Sequence, residues 1–153
     1  MPLRIASSLA VKVSRGRSRK ERREQLAQAK QKQAAMLLQE AQAETSALSE
    51  QLERVCLRLQ HKLGKPQDAT TWMAVYLQSA RLQQALQTAT ARVERAAHEF
   101  DVAAAARKQA AIEVEMLHTL RQQKWQEHRR KYEHAAQEQL DELGLNRWLG
   151  AKP

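Results

Sequence analysis

The chain has 153 residues, 26 Lys or Arg against 17 Asp or Glu for a net charge of +9, and only 4% aromatic residues. Four glycines and three prolines leave too few turns for a sheet architecture, and no β-branched run alternates with polar residues. With so few large aromatics, the chain is expected to form long helices rather than a globular core. The charge points to an anionic partner, whether nucleic acid, a membrane surface or an acidic protein.

At the N-terminus, residues 1–16 carry a short apolar patch, IASSLAV, followed by basic residues rather than a clear cleavage site. This is not the pattern of a secretory signal, and no apolar run approaches the ~20 residues of a membrane span, so a cytoplasmic protein is expected. A lone cysteine, Cys56, suits a reducing compartment. Leu9 and Val13 are spaced to extend the adjoining helix weakly through Gly16.

Residues 17–63 contain neither glycine nor proline. Apolar or small residues recur at Ala34, Leu38, Ala41, Thr45, Leu48, Leu52, Val55 and Leu59 in alternating steps of four and three. That is a coiled-coil seam, with Leu38, Thr45, Leu52 and Leu59 at a and the others at d. Cys56 falls at e, beside the seam, where a half-buried inert thiol is expected.

Residues 64–68 read as a hinge. Gly64 can take the left-handed conformation that ends a helix, Pro66 blocks continuation, and Asp68 is a good N-cap for a second helix. A second heptad pattern then runs through Leu82, Leu86, Ala89, Val93, Ala96, Phe100, Ala103, Arg107, Ala110, Val114 and Leu117. Its d positions 89, 96, 103 and 110 are all alanine, which lets two backbones approach closely. After Leu117 the stripe shifts phase to Leu120, Trp125, Tyr132, Ala136, Leu140 and Leu143, as in a stutter. Gly144 is expected to cap this helix, leaving residues 144–153 as a tail.

The fold expected is therefore all-α, a long two-helix antiparallel coiled-coil hairpin, with helix 1 at 17–63 and helix 2 at 69–143. The arms would measure roughly 70 Å and 115 Å at 1.5 Å per residue. Folding about Pro66 sets residues whose numbers sum to about 132 opposite one another. In that register Arg107, at an a position, is expected to pair with Glu24 and help to fix the alignment.

Three features remain as candidate contact sites. The run SRGRSRKERR at 14–23 includes Arg17, Arg19, Lys20, Arg22 and Arg23, and positive charge near a helix N-terminus opposes the macrodipole, so an electrostatic contact is favoured over a bare solvated face. Arg129, Arg130 and Lys131 make the free end of the hairpin basic on both strands. Trp72, Met73, Tyr76 and Leu77 crowd the first turns of helix 2. Some are expected to close the hairpin tip, and the surplus to form a docking face.

No HExxH, GxxxxGK[ST], GxGxxG or GxSxG motif is present, and no histidine neighbours Cys56 in sequence. A hairpin of this kind has no deep core in which to bury an active site. The expectation is a non-enzymatic protein, without cofactor, metal or small-molecule substrate, that works by contact.

Such a basic, Gln/Ala-rich hairpin resembles the flagellar FliJ and injectisome YscO/HrpO-type stalk proteins of type III secretion systems. The likeness is carried by Arg129-Arg130-Lys131 followed by Gln137-Glu138-Gln139-Leu140-Asp141-Glu142, by Arg22-Arg23-Glu24-Gln25-Leu26, and by Trp72 after the hinge. The resemblance implies a rod like the γ shaft of rotary ATPases, located at the cytoplasmic base of the secretion apparatus on the inner-membrane face. Its terminal end would enter the hexameric export ATPase through Arg17, Arg19, Lys20, Arg22, Arg23, Arg129, Arg130 and Lys131. Trp72 and Tyr76 would touch the export gate protein, and secretion chaperones are further implied partners. Two other readings stand beside it: a nucleic-acid-binding basic coiled coil, whose basic segment precedes a leucine repeat as in bZIP proteins, and a generic coiled-coil scaffold.

Overall fold

The computed structural model describes the backbone of residues 2–151, and the side chains of residue 15 and residues 19–151. Two helices account for almost all of it: α1, Pro2–Lys62, of 61 residues, and α2, Ala69–Gly150, of 82 residues. They pack against one another, and no strand occurs among the described residues, so the fold is an all-α helical hairpin. No described helix is long and apolar enough to cross a membrane.

The turn between the helices is built as the hinge residues dictate. Gly64 has φ +90°, a conformation that costs an L-residue with a Cβ about 1–2 kcal/mol. The Leu63 amide donates to the Leu59 and Gln60 carbonyls, and the Lys65 amide to the Lys62 carbonyl, so the last carbonyls of α1 are satisfied locally. Pro66 has no amide to donate and disfavours helical geometry at Lys65. Asp68 sits at the N-cap of α2, its carbonyl accepting from Thr71 at 3.0 Å and Trp72 at 3.3 Å.

By its contacts the chain divides into two units, Arg22–Ala110 and Met1–Glu21 with Ala111–Pro153. The first unit contains the hinge and the better-packed seam. Ala34, Val55 and Ala89 are its buried residues, at 9%, 4% and 2% exposure. Leu38, Ala41, Thr45, Leu48, Leu52 and Leu59 are half-buried, as are Leu82, Leu86, Val93, Ala96, Phe100 and Ala103 on the other helix. Every seam position read from the α1 heptad is thus shielded. Thr45, a polar residue among them, turns its hydroxyl back to the Ala41 carbonyl at 2.9 Å, so it brings no unsatisfied donor into the seam.

Within this unit the partner of Arg107 differs from the expectation. Arg92 bonds Glu44 at 3.2 Å and Arg107 bonds Gln31 at 2.8 Å, pairs whose numbers sum to 136 and 138. Arg107 therefore does not take Glu24, which is half-buried one heptad earlier on α1. Side chains lean towards the N-terminus of their own helix, so Arg92 and Arg107 reach towards the hinge and Glu44 and Gln31 away from it, while the helix ends Lys62 and Ala69 still centre the turn beside Pro66. Arg107 extends out of the seam to reach Gln31 and is exposed, the one seam residue of α2 between 82 and 117 that is.

In the second unit, Lys20 lies 3.9 Å from Glu113, both side chains half-buried. Helix ends also depart from expectation. α2 runs through Gly144 to Gly150, and among the described residues Gly64 is the only glycine with positive φ. One glycine inside a helix costs only about 1 kcal/mol relative to alanine, and the next proline is Pro153, so nothing stops the helix there. α1 begins at Pro2 rather than near residue 17, with proline at the first helical position, where its missing amide costs nothing. The side chains of Leu9 and Val13 lie outside the described residues.

Two outcomes test this packing. With Cys56 replaced by Ser, a short bismaleimide is expected to bridge Glu44→Cys to Arg92→Cys within one chain; bridging only between chains would mean that the two helices of one chain do not pair. Ala89→Leu is expected to lower unfolding stability by about 1–3 kcal/mol in urea, because a larger side chain forces the backbones apart. The exposed Ala105→Leu is the control and should change little.

Candidate interaction surfaces

The site residues read from the sequence fall on helical surfaces, and they are described unit by unit. In the hinge unit, Arg22 and Arg23 are exposed and make no ion pair among the described residues. Neighbouring cations without a carboxylate partner repel each other and favour any anionic surface that comes near. Because α1 begins at Pro2, these two cations lie more than five turns inside the helix, and the opposing macrodipole expected of a helix that starts at residue 17 does not act on them.

The same unit carries the aromatic cluster at the start of α2. Trp72 is 36% exposed and Tyr76 68%, with Met73 and Leu77 also exposed. None of the four is buried in the seam. The expectation that some would close the tip fails because of helical phase: Thr71, Val75 and Ser79, four residues apart on one face of α2, are the half-buried residues there, and the four large side chains stand off that face. Ser79 also satisfies its hydroxyl on the Tyr76 carbonyl at 2.8 Å. Leu57 and Leu63, on the last turns before the hinge, are exposed as well.

In the other unit, Arg15 and Arg19 are exposed, and Lys20 is the half-buried partner of Glu113. The side chain of Arg17 lies outside the described residues. Arg129 is held on its own helix, 2.7 Å from Glu133 and 5.6 Å above the Trp125 ring, so its charge is partly neutralised locally. Arg130 and Lys131 are exposed without an ion partner among the described residues. The shifted stripe Leu120, Trp125, Tyr132, Leu140 and Leu143 is exposed throughout, with Ala136 alone half-buried.

Sequence reading missed a further line of side chains. Ile112, Met116 and Leu120 stand four residues apart and line one shallow groove with Glu115, Thr119 and Gln123. The signal was present as an i, i+4, i+8 apolar spacing, but the stronger heptad through Val114 and Leu117 masked it.

Cys56 also departs from expectation, because its e position faces outward and the thiol is exposed. A thiol-disulfide exchange reagent is expected to titrate it in the native chain at a rate near that in denaturant; a strongly protected thiol would contradict its placement.

Comparison with known proteins gives no matching family model, no similar curated protein and no similar solved structure.

Proposed function

We propose that this chain is a stalk or adaptor of a bacterial type III export apparatus, linking the hexameric export ATPase to the export gate by contact alone. The observation that carries the reading is a helical hairpin with exposed cations, Arg22, Arg23, Arg130 and Lys131, that have no ion partner within the chain among the described residues. The resemblance of Arg22–Leu26 and of the stretch from Arg129 to Glu142 to stalk-type segments supports the same reading.

The basic side chains supply steering and orientation towards an acidic ATPase surface, since rim charges act mainly on encounter and register. Arg129 is better suited to orienting Trp125 than to an outside contact, because Glu133 already neutralises it. At the hinge, Trp72 and Tyr76 offer amphipathic anchors of the kind that dominate binding energy when a partner covers them. The seam, held by alanines, leaves these side chains outward and keeps the two kinds of contact on separate parts of the chain.

The test uses the purified full-length chain and the export ATPase of the same organism. Added chain is expected to stimulate ATP hydrolysis, and Arg22→Glu with Arg23→Glu to reduce stimulation several-fold. Trp72→Ala with Tyr76→Ala should leave stimulation intact and abolish capture of the gate protein. A chain that neither stimulates the ATPase nor co-purifies with it from the native host sinks the proposal. Recovery of nucleic acid in its place, released steeply by salt, would establish the basic-helix binder instead.

A further inference from the structure

The C-terminal part of α2 carries a charge pattern that its own chain does not use. Residues 121–131 contain five Lys or Arg and one Asp or Glu, a net charge of +4. Residues 133–142 contain four Asp or Glu and no Lys or Arg, a net charge of −4. Tyr132 stands between the two halves and is 72% exposed. Trp125, Tyr132, Ala136, Leu140 and Leu143 fall within one helical face, because Trp125 and Leu143 are 18 residues, about five turns, apart.

Among the described residues, none of α1 lies level with the acidic half: with Lys20 beside Glu113, Pro2 comes level with about residue 131 in this unit. Intrahelical pairs engage Arg129 with Glu133 and His134 with Glu138, but Arg121, Lys124, Arg130, Lys131 and Glu142 have no ion partner among the described residues.

From this we infer that residues 121–143 of α2 form an antiparallel, two-fold symmetric helix pair with the same segment of a second copy. A two-fold axis near residue 133 lays each +4 half against the other copy's −4 half and covers both apolar faces. Parallel pairing would instead stack like charges along the whole length. Lys124 and Glu142 are also 18 residues apart, so they share one flank of the helix. In the antiparallel pair, Lys124 of each copy comes level with Glu142 of the other, twice per dimer. The apolar layer brings each Trp125 beside Leu140 and Leu143 of the second copy. The pair covers Arg130 and Lys131, which the export-ATPase reading also uses, so a second copy and the ATPase compete for this segment; sedimentation of the isolated chain and stimulation of the ATPase fail separately.

Sedimentation equilibrium on the purified full-length chain tests it. At low salt and about 100 µM, a concentration that reveals even weak dimers, the chain is expected to be dimeric. Lys124→Glu and Glu142→Lys are each expected to weaken dimerisation about tenfold, since symmetry places two repulsive contacts where two attractive ones stood. The double variant K124E/E142K should recover to within about threefold of the parent, and Trp125→Ala should lose tenfold or more. All these side chains are exposed, so helical circular dichroism should be unchanged and report that the hairpin persists. A chain that stays monomeric, a dimer indifferent to the single reversals, or a double reversal that fails to recover would each overturn the inference.

Discussion

A residue no larger than alanine at position 89 is the constraint on which the packing of the hinge unit rests. Ala89 is the most buried of the described residues, and Ala34 and Val55 are the other buried side chains among them. Where small side chains occupy the contact, two helices approach closely and gain dispersion contacts over a long line, but each layer buries little apolar area. Stability then comes from repetition along the seam rather than from any single anchor. The half-buried Leu38, Leu48, Leu52, Leu59, Leu82, Leu86 and Phe100 complete this seam, while Trp72 and Tyr76 stand off it and are exposed.

That division decides which features were legible in the sequence. The alternating steps from Ala34 to Leu59 give helix, phase and buried face together, because a heptad pattern is read from one helix alone. The hinge was legible for a similar reason: Gly64, Pro66 and Asp68 each act through their own backbone. The partner of Arg107 was not, because it depends on the direction in which two long side chains lean across the seam. Arg107 was recognised as a seam position, yet it leaves the seam and bonds Gln31 in place of Glu24.

The tip and the helix ends were misread for different reasons. Four large side chains after the hinge suggested a plug, but the shielded face of α2 there carries Thr71, Val75 and Ser79. Gly144 suggested a cap, but a glycine ends a helix only when something downstream favours leaving it. The exposure of Arg22 and Arg23 follows from their positions off the α1 heptad and was legible in the sequence, whereas around Arg130 and Lys131 the stripe residues Trp125 and Tyr132 are exposed as well. The local neutralisation of Arg129 by Glu133, with Trp125 beneath it, depends on rotamers and needed coordinates.

The left-handed glycine at the hinge also sets an order of assembly. Contacts across the hairpin close loops of growing length away from Gly64, with 48 positions separating Arg92 from Glu44 and 76 separating Arg107 from Gln31. Closing the longer loop first costs more chain entropy, so pairing that starts beside the hinge and runs outward divides that cost into small steps. During synthesis, all of α1 leaves the ribosome before any residue that covers its seam exists. Leu38, Leu52 and Leu59 are then bare, and the growing chain is at its stickiest just before the hinge and the first turns of α2 emerge.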